Sequence, residues 1–425
     1  MVGDYVPRIV DRELDELVVG LPAISLEGPR GVGKTSTALR RAATVHRLDD
    51  PDQLAVIEAR RRRLVEGPPP ILVDEWQRLP ESWDFVRRAV DEDEAPGRFL
   101  LTGSAGPTQS PTHSGAGRIV TVRMRPLSLA ERLAGEATVS LGALLSGAKG
   151  DLDGDTDITV VDYTAEIVRS GFPGIRHRSG RLLRATLDGY LDRVVERDFA
   201  DLDHRIRDAG ALRRWLTAYA AATSTAATFE TVRDAASPGD SHKPARSTAQ
   251  PYRATLEQLW LIEEVPAWRP TRNRLRRLAA APVHQLADPA LAARLLGCDE
   301  TALLAGSSPG PPVPRDGPLL GALFQSLVTL SVRTYAQHNE ARVHHLRTHG
   351  GEHEIDLIVE RGDGKVLALE VKLASTVRDR DVRHLNWLAN GIGPELLDAA
   401  VITTGPHAYR RRDGIGVIPA ALLTT

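Results

Sequence analysis

The stretch Ala23-Ile-Ser-Leu-Glu-Gly-Pro-Arg-Gly-Val-Gly-Lys-Thr-Ser36 decides how the first third of this 425-residue chain folds. An apolar run ending at Glu27 reads as a strand, and Thr35 to Ala43 reads as the helix that follows. Between them, Gly28, four residues, then Gly33-Lys34-Thr35 is the spacing of a phosphate-binding loop, in the strand and helix context that such a loop requires. Glycines let the backbone wrap so that its N–H groups converge on an anion, and the start of the helix adds further donors. Gly28, Pro29, Arg30, Gly31, Val32, Gly33, Lys34, Thr35 and Ser36 are therefore the candidate phosphate contacts. Lysine occurs only at positions 34, 149, 243, 365 and 372 of this arginine-rich chain, so a lysine at a motif position carries more weight than usual.

Working outward, residues 23 to 131 alternate short apolar runs with polar helical stretches, the pattern of a parallel sheet with crossover helices. Ile71-Leu-Val-Asp-Glu75 carries two acids to the carboxyl end of a buried strand, where they can meet the loop across the sheet. Asp74 and the Thr35 hydroxyl are the candidate Mg²⁺ ligands, and Glu75 is the candidate base for an attacking water. Thr102 and Ser104, at the end of Arg98 to Ser104, are candidate sensors of the terminal phosphate. Gly103 to Gly117, rich in Gly, Ser, Pro and Thr, reads as a loop beside the site.

Bulk composition bounds the remainder. Hydrophobic residues make up 42% and charged residues 26% of the chain, the balance of a globular protein long enough for two or three domains. The formal charge of -2 excludes a global pull toward nucleic acid, so any such binding needs a local basic patch. No run approaches the roughly 18 apolar residues of a membrane span, and the first residues lack the apolar core of a signal peptide. The expectation is a cytoplasmic protein with no membrane partner. Cys298, the one cysteine, reads as a small buried side chain.

The expected domains are a sheet domain over 1–134, a helical lid or connector over 135–208, a helical winged-helix-like region over 209–305, a linker over 306–317, and a small α/β domain over 318–425. Gly135 to Asp157, rich in Gly and Asp, reads as a surface excursion, and Ser237 to Pro244 as a break between helices. Leu256 to Leu278 reads as helix, short strand and arginine-rich turn. In it, Arg269-Pro-Thr-Arg-Asn-Arg-Leu-Arg-Arg277, with Trp260 and Trp268 nearby, is the candidate wing for double-stranded DNA.

Gly28 to Thr35, Ile71 to Gln77, Leu100-Leu-Thr-Gly-Ser104, Gly117-Arg118 and Arg125-Pro-Leu-Ser-Leu-Ala-Glu131 together resemble the bacterial AAA-type ATPases that carry a C-terminal DUF4143 region. Ser170-Gly-Phe-Pro173 and Tyr190 to Asp198 extend the resemblance over most of the chain. It implies an α/β fold: an AAA-like P-loop parallel sheet, then helical and winged-helix segments, then a restriction-endonuclease-like α/β end. It implies ATP and Mg²⁺ as cofactors, Lys34 and Glu75 as catalytic groups, and Arg118 as a finger or γ-phosphate-sensing arginine.

Near the C-terminus, Glu354-Ile-Asp356 and Leu369-Glu370-Val-Lys372 resemble the D…ExK core of the PD-(D/E)XK nuclease fold. Alternation puts Glu370 and Lys372 on one face of their strand. Asp356 and Glu370 would share a divalent metal while Lys372 activates water. Where that pattern usually has a helical glutamate, this chain has Gln325, which weakens the metal site. Three functional readings stay open: an ATPase or ATP-driven switch, an ATP-regulated DNA-binding or nuclease effector, and a toxin–antitoxin-like or defence interaction protein with slow hydrolysis.

Overall fold

The computed structural model describes residues 5–104, 115–198, 209–236, 246–268, 281–307, 309–311, 313, 317–348 and 350–425. A short helix, α1 (Ile9–Val18), leads into five strands: β1 (Ala23–Glu27), β2 (Thr44–Arg47), β3 (Ile71–Asp74), β4 (Phe99–Gly103) and β5 (Ile119–Arg123). All pair in parallel in the order β2-β3-β4-β1-β5. Period-two alternation sorts their side chains. Ile24, Leu26, Leu72, Leu100 and Val122 face the main core, whereas Ile71, Val73, Phe99 and Leu101 pack on Trp76, Trp83 and Val86. Registers Glu27↔Gly103, Glu27↔Arg123 and Asp74↔Thr102 bring the carboxyl ends of the strands to one edge, where the loop after β1 lies.

The turn after β5 ties the molecule together. Ser128 caps the short helix Leu129–Arg132, its backbone N–H donating to Glu131 at 2.7 Å. Glu131 also accepts from the Arg8 guanidinium at 3.0 Å in a buried pair. Two backbone N–H groups of the turn donate outward, Leu129 to Ser331 Oγ and Ala130 to the Tyr335 hydroxyl, each at 2.9 Å. Arg132, fully buried, reaches Asp288 at 3.1 Å and the carbonyl of Glu166 at 2.9 Å. The Arg125 to Glu131 motif is thus a structural hub holding the sheet to both later regions.

The Gly/Asp-rich segment read as a surface excursion is docked instead. Val139–Ser140 (β6) pairs in parallel with Leu423–Thr424 (β14), and the helix Leu141–Ser146 buries Leu141, Leu144 and Leu145. Thr156 N–H donates to the carbonyl of Pro406 at 2.8 Å. Composition alone hid three leucines at helical spacing.

Helices follow at Val160–Arg169, Gly180–Arg193, Ala209–Ala221, Phe229–Ala235 and Arg246–Gln258. Antiparallel bridges Ile262↔Leu286 and Val265↔Val283 then form a two-stranded arm. The candidate wing, Arg269 to Arg277, lies outside the described residues, as do Ser237 to Pro244 and residues 105–114 of the loop before β5.

The last region centres on the helix Leu319–His338 and a seven-stranded sheet. Its strands are β7 (Ala267–Trp268), β8 (Arg342–Arg347), β9 (Glu354–Glu360), β10 (Val366–Val371), β11 (Leu396–Thr403), β12 (Tyr409–Arg410) and β13 (Gly416–Pro419), in the order β12-β13-β11-β10-β9-β8-β7. β10 and β11 are buried throughout, as continuous apolar runs in a covered sheet should be. β7 comes from the preceding region and completes one edge, so the two regions share a sheet.

Candidate functional site

The loop after β1 closes on itself through glycine. Gly31 and Gly33 have φ of 81° and 104°, where side-chain-bearing residues are strained. A β-carbon at Gly28 would lie 2.1 Å from the carbonyl oxygen of Met124, so β5 backs directly onto the start of the loop. Lys34, 5% exposed, curls back over it and donates to the carbonyls of Gly28 at 2.8 Å and Pro29 at 3.0 Å. Burial pulls its pKa down to about 8, although Glu75 pulls the other way. Among the described residues Lys34 makes no ion pair; its direct partners are two carbonyl dipoles, and the charges of Glu75 and Asp74 act on it from farther off.

The acids meet this loop from β3. Thr35 Oγ1 donates to Asp74 Oδ1 at 2.7 Å, and Thr102 Oγ1, from β4, bonds the same carboxylate oxygen. Glu75 stands just beyond the strand with a left-handed φ of 56°. Its carboxylate accepts from Ser104 Oγ at 3.2 Å and from the Gln77 amide. Lys34, Thr35, Asp74, Glu75, Thr102 and Ser104 therefore come together at one edge of the sheet. Gln77 had no role in the sequence reading, and only its place two residues after Glu75 hinted at one.

The residues fit ATP and Mg²⁺: a glycine cradle with an unpaired buried ammonium suits phosphate, and a hydroxyl beside a carboxylate suits a hard divalent ion. Ser170-Gly-Phe-Pro173 leans over the cradle. Phe172 and Pro173 approach the β-carbon positions of Gly31 and Gly33 to 4.0 and 3.9 Å, and the Tyr190 hydroxyl donates to the carbonyl of Arg30 at 3.2 Å.

Arg118 requires correction as a sensor of its own chain's γ-phosphate. It immediately precedes Ile119, which pairs with Ala23 at the amino end of the parallel sheet, opposite the loop. Its guanidinium is half-exposed and donates to Asp91 at 2.8 Å. At about 3.3 Å per residue, the length of β1 separates it from the cradle. Arg123, the last residue of the same strand, lies at its carboxyl end instead, across from Glu27.

A second cluster forms in the last region. Asp356 on β9, Glu370 on β10, Lys372 and Gln325 line one cleft of about 890 Å³, with Arg347, Arg383 and His384. The Gln325 amide donates to Asp356 Oδ1 at 2.9 Å, and the backbone N–H of Val371 donates to its Oδ2 at 2.8 Å. Glu370, 2% exposed, has its pKa pushed well up by burial and by the charge of Asp356. Lys372 Nζ lies 3.4 Å from it. Among the described residues no three His, Cys, Asp or Glu side chains gather in a metal-binding group.

This fold and first site have the arrangement of an AAA-type P-loop domain. Comparison with known families agrees: residues 21–133 match the AAA domain model and residues 320–423 match the domain of unknown function DUF4143. Residues 161–302 match a second domain of unknown function, DUF8612, which runs across the expected boundary at 208–209. The chain carries an AAA-type P-loop domain followed by a C-terminal DUF4143 domain. Two mycobacterial proteins, Rv2008c of Mycobacterium tuberculosis and Mb2031c of Mycobacterium bovis, are each 26% identical over 412 residues, covering 95% of this chain and 81% of theirs. Among solved structures, the Walker-type ATPase PABY2304 of Pyrococcus abyssi aligns with a TM-score of 0.40 and 16% identity, over 69% of this chain and 99% of that one. Among the described residues no helix is long and apolar enough to cross a membrane.

Proposed function

We propose that the chain binds ATP·Mg²⁺ on residues Gly28 to Ser36, hydrolyses it, and uses the cycle to switch the helical region and the DUF4143 cleft. The observation that carries this is the convergence of an unpaired buried Lys34 with the Thr35–Asp74 pair and Glu75 at one sheet edge. Lys34 and the loop N–H groups would neutralise the β- and γ-phosphates, and Thr35 and Asp74 would hold the ion. Glu75, braced by Gln77 and Ser104, would orient and deprotonate the attacking water. Thr102, bonded to Asp74, would register departure of the terminal phosphate. Calorimetric titration with ATP·Mg²⁺ tests the site: binding that loses most of its affinity in Lys34→Ala supports it, and equal binding by a folded Lys34→Ala chain refutes it.

For the DUF4143 cleft, we infer binding of a polyanion or protein segment rather than vigorous DNA cleavage. Gln325 supports this, since its amide occupies Asp356 where a third carboxylate would deepen the well for a metal. Among the described residues, three helices followed by the antiparallel bridges Ile262↔Leu286 and Val265↔Val283 support a winged-helix unit that contacts double-stranded DNA. Steeply salt-dependent duplex binding is the expected result, and no binding at low salt in any nucleotide state would leave a protein partner ahead.

A further inference from the structure

Two histidines meet at the rim of the DUF4143 cleft. His353 immediately precedes β9, and His384 is the second residue of the helix Arg383–Ile392, whose first two residues line the cleft. Their Nδ1 atoms face each other at 3.2 Å, with the two rings nearly perpendicular at 83°. The His353 ring lies flat on the Trp387 indole, 4.0 Å between centroids and 9° between planes. Thr348 fixes its backbone: the hydroxyl accepts from the His353 N–H and the Thr348 N–H donates to the His353 carbonyl, each at 3.0 Å. Trp387 follows His384 by three residues on the same helix, so one helix face supplies one imidazole and the platform under the other.

A third neighbour settles where the protons sit. Arg383 Nε donates to His384 Nε2 at 2.9 Å. A guanidinium only donates, so His384 Nε2 carries a lone pair, its proton is on Nδ1, and that proton points at a lone pair on His353 Nδ1. Burial, then the charges of Arg383, His353 and Lys372, push the His384 pKa down against the pull of Asp356, so this ring is neutral at physiological pH. The 3.2 Å gap is at the long end for a hydrogen bond. It is close to the separation of about 3.3 Å that two nitrogens adopt when each lies about 2.0 Å from one tetrahedral ion.

We propose that His353 and His384 form a two-imidazole site for a divalent transition ion of the Cu²⁺ or Zn²⁺ class, which bridges their Nδ1 atoms and staples the start of β9 to the helix Arg383–Ile392. Imidazole donors suit such ions, whereas Mg²⁺ and Mn²⁺ prefer oxygen, and this separates the site from the carboxylates of Asp356 and Glu370. Among the described residues no third His, Cys, Asp or Glu joins the pair. The remaining positions therefore go to water or to a donor atom of whatever enters the cleft. Binding moves the His384 proton from Nδ1 to Nε2, with no net proton released, and breaks the bond from Arg383. That side chain is exposed and turns to solvent.

The test uses the full chain, untagged, in a buffer that does not coordinate metals. A single equivalent of Cu²⁺ should give an electron paramagnetic resonance spectrum with two equatorial nitrogen ligands, a readout that does not depend on any variant folding. Calorimetry with Zn²⁺ should show His384→Ala weakening the tightest site on the order of 100-fold, at least what an outer hydrogen-bond partner of a ligand is worth. His353→Phe keeps a ring on Trp387 but lacks the nitrogen, and should lose as much. Arg383→Ala should bind Zn²⁺ about threefold more tightly, since it removes a solvent-screened like charge and the bond that holds the competing tautomer. Asp356→Ala should stay within about threefold of the wild type, the reach of a charge that does not touch the ion. A spectrum with fewer than two nitrogens, a tightest site indifferent to either histidine, its loss in Asp356→Ala, or weaker binding by Arg383→Ala each overturns the assignment.

Discussion

Two sites in this molecule each combine a lysine with a pair of acids, and they are built to opposite ends. At the sheet edge, Lys34 is buried on carbonyls with no counter-ion among the described residues, and Asp74 and Glu75 are met by neutral hydroxyls and an amide. That site carries separated charge waiting for an anion and a cation. In the DUF4143 cleft, Lys372 already faces Glu370, and both oxygens of Asp356 are taken by the Gln325 amide and the Val371 N–H. That site is satisfied from within. Residue type is therefore a poor guide to chemistry until the partners are known, because a charge that has its partner gains little from a ligand.

The contrast breaks first at Lys34. Lys34→Ala should cost ATP affinity on the order of 100-fold, the loss of two charged hydrogen bonds. Yet Lys34→Met should stabilise the nucleotide-free protein. Because folding lowers the lysine from 10.5 to about 8, its charge opposes folding at every pH below about 8, by on the order of 3 kcal/mol. The penalty fades between about 8 and 10.5, so the wild type should gain on the variant as pH rises through that window. Denaturant titrations at pH 7 and above pH 8 check both signs; a Met variant that is less stable at pH 7 would show that the ammonium is not the burden claimed.

Glu75→Gln comes next. Turnover should drop about 10²- to 10⁴-fold, the usual worth of a positioned base, while ATP affinity stays put. Steady-state hydrolysis alongside titration separates the two, and undiminished turnover would move the base elsewhere.

The cleft gives a smaller, opposite effect. Wild-type protein should leave plasmid intact in Mg²⁺ or Mn²⁺, so Asp356→Ala changes nothing there. Gln325→Glu should tighten Mn²⁺ binding by about tenfold, since a carboxylate replaces an amide. Mn²⁺ uptake should strengthen as pH rises above 4.5, because Glu370, its pKa raised by burial and by Asp356, must first lose its proton. Robust cleavage abolished by Asp356→Ala would erase the difference between the two sites and make this an ATP-regulated nuclease.

The least effect is expected at Arg118. Its alanine variant should bind ATP within about twofold of the wild type, as losing one exposed ion pair scarcely matters. A large loss of affinity in monodisperse monomer would contradict its place at the far end of the sheet.

The sequence alone determined what depends on neighbours along the chain. A strand, a glycine turn and a helix start within fourteen residues specify the phosphate cradle, since each needs only local conformational freedom and alternation. For the same reason the strands carrying Asp74 and Thr102 were legible as apolar runs ending in polar residues, and those carrying Asp356 and Glu370 as alternating strands. Tertiary structure alone decided which end of β5 faces the cradle, and so that Arg123 rather than Arg118 stands beside it: register is set by pairing with β1, ninety-six residues upstream of Ile119. It also made the Arg125 to Glu131 motif a hub, docked residues 139–146 on the last domain, and gave β7 to a sheet built mostly from another region. Those outcomes rest on strand pairing, buried charges and hydrogen bonds finding partners far away along the chain, and such partners are chosen by packing, which no local pattern encodes.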